Sequence, residues 1–164
     1  MRKLLVLSLA AFVLAGCAVA PTASEETAQV SNAVVAPDAP ALLESLYPNR
    51  AEPPTDLSVT IVSQGEGEQV SQGDEVVVHY WGLRWSDGET FDSSWTRGQP
   101  FTFRLGAGQV ISGWDLGLEG MTVGDRLVLV IPPDLGYGDR GAGDVIGPGE
   151  TLVFVVDLVE RQAP

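Results

Sequence analysis

The chain has no lysine beyond Lys3, a single cysteine at Cys17 and a single histidine at His79. Each scarcity removes a class of function. One cysteine cannot form an intrachain disulfide, so the fold must rest on its core. Without a Cys/His cluster there is no ligand set for structural zinc, and no metal or cofactor is expected. Net charge is −13, and from Asp56 onward seventeen acidic side chains stand against six arginines. Phosphate recognition needs clustered Lys and Arg, so nucleic acid is excluded as a partner. The acidic excess reads as a solvated, self-repelling surface. No apolar run reaches the length of about 20 residues that a permanent bilayer-spanning helix needs.

What is present is apolar material, 45% of 164 residues, with 19 glycines and 11 prolines. The length suits one compact domain with a tail. The composition favours a turn-rich β protein over a helical bundle.

The first residues read as an address. Arg2 and Lys3 precede an apolar run from Leu4 to Leu14, broken only by Ser8. That pattern fits a secretory signal over residues 1–16. Leu14-Ala15-Gly16-Cys17 resembles the lipobox of bacterial lipoproteins, which implies diacylglyceryl transfer to the Cys17 thiol and cleavage before it. Several acyl chains anchor stably where one does not. The expected location is outside the cell, lipid-anchored to a bacterial membrane: the outer membrane or the outer face of the cell membrane. Ala18, rather than aspartate, follows the cysteine and points weakly to the outer membrane.

Residues 17–55 are rich in Ala, Pro, Ser, Thr and Glu and read as a flexible tether. Within it Ala41–Leu46 has room for one or two helical turns between Pro40 and Pro48. From Asp56 to the end the texture is β. Strands are expected at Leu57–Val62, Glu75–Trp81, Phe101–Arg104, Arg126–Ile131 and Thr151–Glu160. Alternation puts Val76, Val78 and Tyr80 on one face of the second. Ile111, Trp114 and Leu118 recur at helical spacing, which predicts one short helix within Ile111–Met121. Strands in series around one helix make an antiparallel α+β domain over residues 56–164.

Four segments in order carry a stronger signal: VVVHYWG (76–82), DGETFDSSWTRGQPFTFRLGAGQVISGWDLGLEGM (87–121), VGDRLVLVIPPDLGYG (123–138) and GETLVFVVDLVE (149–160). Together they resemble the FKBP-type peptidyl-prolyl cis/trans isomerases, in their bacterial lipoprotein form. The resemblance implies a curved antiparallel β-sheet wrapped around one short α-helix, with a pocket between them. Position by position it implies catalytic roles for Asp92, Tyr137 and Trp114. It implies substrate-binding roles for Tyr80, Phe91, Phe101, Val110, Ile111, Val145, Ile146 and Phe154. Trp114 becomes the floor under the proline ring, Tyr137 and the Ile111 amide become donors to ligand carbonyls, and Arg97 stands near Asp92. The implied partners are proline-containing polypeptide clients and macrolide-type inhibitors, met by a monomer tethered to the membrane.

The sequence departs from the family pattern at several positions. Ala142 replaces a frequent histidine, Gly143 and Gly147 replace frequent prolines, and Gln109 replaces a frequent acid. These changes predict a looser loop from Gly141 to Gly149. One extra residue lies between Tyr80 and Phe91, and Trp81, Trp85 and Trp95 are unusual. A proline-recognising chaperone or binding lipoprotein with little turnover is the alternative. The chemistry itself asks for an aromatic site. Rotation about X-Pro breaks amide resonance against a barrier of roughly 18–20 kcal/mol and needs neither nucleophile nor proton transfer. His79 alternates away from Tyr80 and reads as structural.

Overall fold

The computed structural model describes residues 36–50 and 52–164. The expected signal over residues 1–16, Cys17 and the first part of the expected tether lie outside the described residues.

Six strands build one antiparallel sheet: β1 (Ser58–Ser63), β2 (Glu75–Arg84), β3 (Thr90–Ser93), β4 (Phe101–Arg104), β5 (Arg126–Ile131) and β6 (Leu152–Gln162). Their order is β1-β5-β6-β2-β3, with β4 also pairing β2. β2 organises the site. One of its edges pairs β6 along its whole length. The other edge is shared: β4 pairs Glu75 to Val78, and β3 pairs Trp81 to Leu83. Between β3 and β4 the chain leaves the sheet in one helical turn, α2 (Ser94–Arg97). That excursion sits opposite Tyr80.

The strands expected from alternation are present with small shifts at their ends. The expected helix contracts to α3, Ser112–Gly117. It starts on Ile111 without a side-chain cap and stops before Gly120, whose φ of 79° cannot continue a helix. Gly113 and Gly117 set how α3 lies. A Cβ on Gly113 would come within 2.4 Å of Ile131 Cγ2, and one on Gly117 within 2.8 Å of Leu129 Cδ2. The helix therefore rests its glycine face on β5, and the neighbouring Trp114 and Leu118 are buried in the core.

The sheet is apolar on both faces. The inner face carries Val76, Val78, Tyr80, Leu127, Leu129, Phe154 and Val156 in the cluster that includes Trp114. The outer face carries Leu83, Trp85, Val128, Val130, Val153 and Val155, clustered with Ala39 and Leu43. Those two belong to α1 (Ala39–Leu46), capped by Asp38, whose side chain accepts from the Ala41 amide at 3.1 Å. Part of the segment read as flexible tether is thus a helix docked on the sheet. Pro40 does not bound that helix from outside; it sits in the first turn, where a missing N–H costs nothing. Among the described residues no helix is long and apolar enough to cross a membrane.

Candidate active site

Between α3 and the inner face lies a cavity of about 190 Å³. Tyr80, Phe91, Asp92, Phe101, Gln109, Val110, Ile111, Trp114, Tyr137 and Phe154 line it. Trp114 meets Tyr80 edge-on at 5.1 Å between centroids and Phe154 at 5.2 Å, so its orientation is fixed by packing. Phe91 meets Phe154 at 5.6 Å. Gly82 makes that pairing possible, since a Cβ there would lie 2.7 Å from Phe91 Cζ and 2.9 Å from Phe154 Cε1. Tyr137, by contrast, is 40% exposed and stands at the rim.

One wall is polar. The Tyr80 hydroxyl donates to Asp92 Oδ2 at 2.5 Å and accepts from Arg97 Nη2 at 2.8 Å. Arg97 also pairs with Asp92 Oδ1, which takes the Ser93 amide at 2.8 Å. α2 makes this geometry. Ser93 caps it by accepting from the Thr96 amide, Gly98 closes it at φ 69°, and Arg97 in the last position reaches back over the Tyr80 ring. Buried Ser94 fastens the turn to β2, its Oγ accepting from the Tyr80 amide at 2.8 Å and meeting His79 Nδ1 at 3.0 Å. Burial pushes the Tyr80 phenol above its ordinary 10.0; the bond to Asp92 adds to this and Arg97 opposes it. Arg97 is itself held above its usual value, chiefly by its bond to the Tyr80 oxygen.

The loop before α3 is also pinned. Asp115 accepts from the amides of Gly106 and Gly108 at 2.9 and 3.1 Å. Gln109 accepts from the Arg104 amide at 2.9 Å. Val110 and Ile111 are thereby fixed at the cavity wall.

Two of the expected binding residues are not in this wall. Ile146 is buried in the core cluster, and Val145 is 53% exposed on the loop beyond Tyr137. The loop folds back on itself through reciprocal Ala142–Ile146 bonds of 2.9 and 3.1 Å, which turn the Ile146 side chain inward. His79 is stacked on Trp95 at 4.1 Å and does not line the cavity. A wider depression of about 550 Å³ lies among Tyr47–Arg50, Glu52–Thr55 and Trp85. It has no comparable set of convergent groups, because Arg50 is spent on the Trp85 carbonyl and on Glu44.

Residues 66–159 match the family described as FKBP-type peptidyl-prolyl cis-trans isomerase. The chain belongs to that family. It is 58% identical over 109 residues to an FK506-binding protein of Streptomyces anulatus, covering 66% of this chain and 88% of the relative. FK506-binding protein 1 of Dictyostelium discoideum is 52% identical over 103 residues, covering 63% and 95%. A 39 kDa FK506-binding nuclear protein of Drosophila melanogaster is 51% identical over 102 residues, 61% of this chain but 28% of that one. The same domain therefore occurs within proteins of different size. Among solved structures, the crystal structure of AtFKBP13 superposes with a TM-score of 0.61 at 37% identity, over 65% of this chain and 93% of that chain. The protein is a peptidyl-prolyl cis-trans isomerase of FKBP type with the family's antiparallel sheet.

Proposed function

We propose that the chain turns X-Pro bonds of exported or envelope polypeptides in the cavity over Trp114, while held at a bacterial membrane through a lipidated Cys17. The observation that carries the catalytic part is the arrangement of the walls. An aromatic floor lies at the base, the Tyr80–Asp92–Arg97 network forms one polar wall, and Tyr137 stands exposed at the rim.

The twisted amide has lost the charge separation of the planar one, so a water-poor aromatic cavity favours it over the ground state. Trp114 and Phe154 supply that surface for the proline ring. Tyr137 and the Ile111 amide donate to flanking carbonyls and hold the peptide in the twisted geometry. Asp92 keeps Tyr80 and Arg97 in place and lends its charge to the mouth. A macrolide of the FK506 class competes for the same cavity, and the protein works as a monomer on unfolded or partly folded clients.

The catalytic part is tested by Tyr137→Phe, which removes one donor and little volume. kcat/KM for an Xaa-Pro peptide is expected to fall about tenfold, the scale of one hydrogen bond in the transition state. An unchanged rate removes Tyr137 from the mechanism. Binding of the peptide without faster isomerisation by the unaltered chain would favour a chaperone instead. For the anchor, mass spectrometry of membrane-extracted protein is expected to find acyl chains on Cys17, and an unmodified thiol would refute it.

A further inference from the structure

The loop that follows Tyr137 is rich in glycine, yet it is tied down from outside. Its base closes where the Gly149 amide donates to the Gly138 carbonyl at 3.0 Å. Its tip is bound by Arg84, whose Nη1 donates to the Val145 carbonyl at 2.9 Å. Arg84 is the last residue of β2, and its side chain is otherwise locked. Nε and Nη2 hold Asp87 at 2.8 to 3.1 Å, and Nη2 holds Glu89 at 2.7 Å. A second tie runs in the same direction: Glu150 accepts from the Ser86 amide at 3.0 Å and the Ser86 hydroxyl at 2.9 Å. The β2–β3 hairpin that carries these groups runs straight on into Phe91 and Asp92. One side of the cavity mouth is therefore fastened to the other through the hairpin.

From this we infer that Arg84 is a positioning residue of the isomerase: the Asp87–Glu89 pair orients its guanidinium to hold the Val145 carbonyl, which fixes the loop and Tyr137 at the rim of the cavity. The inference rests on the assignment of the cavity over Trp114 as the substrate site. Arginine suits the task because its planar fork can serve two carboxylates and a carbonyl at once. The glycines that lose local rigidity at 143 and 147 are compensated by a contact made across the mouth. The clamp is built from the turn between β2 and β3, which places Arg84, Asp87 and Glu89 within five positions of one another.

The test uses the full chain carrying Arg84→Met, which keeps the apolar stem and removes every donor, beside Arg84→Lys, which keeps a donor for Val145. Amide hydrogen exchange reads the loop without reference to activity. In Arg84→Met, exchange at Ala142 and Ile146 is expected to rise about tenfold while amides in the centre of β6 keep their protection. KM for an Xaa-Pro peptide is expected to rise several-fold with a smaller change in kcat, and Arg84→Lys is expected to recover part of both. Unchanged exchange at Ala142 and Ile146 overturns the inference. So does equal loss of protection in β6, which would make Arg84 a general stabiliser. A loosened loop with unaltered KM and kcat also overturns the inference, whereas only absence of isomerisation by the unaltered chain would count against the cavity assignment itself.

Discussion

Asp92 does not stand alone in an apolar cavity; three donors already satisfy it. Its side chain and that of Arg97 are each nearly half exposed, so the pair adds little to stability and its value lies in orientation. Asp92→Asn keeps the shape and removes the charge. We expect kcat/KM to fall about tenfold or more with the thermal midpoint nearly unchanged. The same substitution acts on Tyr80. Because the Asp92 bond raises the phenol, its loss is expected to lower the Tyr80 titration below that of the unaltered protein, followed by NMR of ring-labelled tyrosine. In the unaltered protein the phenol is protonated at every pH below its raised value. The rate is therefore expected to be flat from about pH 6 to about pH 9. An inflection within that window would contradict this reading of the site. Trp114 is a different case. It is 4% exposed among four aromatic neighbours, so Trp114→Ala is expected to cost about 3–5 kcal/mol of stability as well as activity.

At the scale of elements, the same sequence features were legible to very different degrees. Strands β2, β5 and β6 announce themselves through β-branched runs, and their bounds are nearly those expected. The strictly apolar run Leu127–Ile131 also carried a second message: a strand apolar on both faces needs cover on both sides. α1 provides it, which explains why a proline-bounded stretch of a supposed tether folds onto the sheet. Leu43→Ala is expected to lose about 2–5 kcal/mol, read by denaturant unfolding, with isomerase activity retained in the folded fraction. β3 and α2 were not legible. Thr90–Arg97 has no hydrophobic period, and its conformation follows from pairing with β2, from the Ser93 cap and from the Ser94 bonds. The site residues were legible only through motif order, and alternation alone would have filed Trp114 and Phe154 as core. Gly143 and Gly147, set against the prolines of the family pattern, point toward a loose loop, since a tie from Arg84 some sixty positions earlier leaves no local trace. Gly113 is the remaining element-scale test. Gly113→Ala is expected to destabilise by about 1–3 kcal/mol, because the added methyl meets Ile131 and lifts α3 from β5.

Across the whole molecule, the acidic excess is managed by a few buried or half-buried ion pairs that join distant segments. Arg126 on β5 meets buried Asp157 on β6 at 2.5 Å, and Arg161 at the end of β6 meets buried Asp74 at 2.6 Å. Arg161 holds the Asp74 carboxyl below its ordinary 3.8, helped by the Ser71 amide. A depressed carboxylate contributes stability above its unfolded value and loses it as pH falls through the folded one. The unaltered protein should therefore exceed Asp74→Asn in stability at neutral pH, with the gap closing below about pH 4, read from denaturant midpoints across a pH series. None of this touches the cavity, which is why the charge of the surface and the aromatic site can be argued separately. The central claim is that the cavity over Trp114 turns prolyl bonds. Exchange NMR on an Xaa-Pro peptide, with protein beginning after Cys17, tests it most directly. Cis–trans exchange cross-peaks should appear at catalytic protein concentrations and disappear when a macrolide of the FK506 class fills the cavity. Exchange indistinguishable from buffer, or exchange untouched by a macrolide shown to bind, would contradict the account.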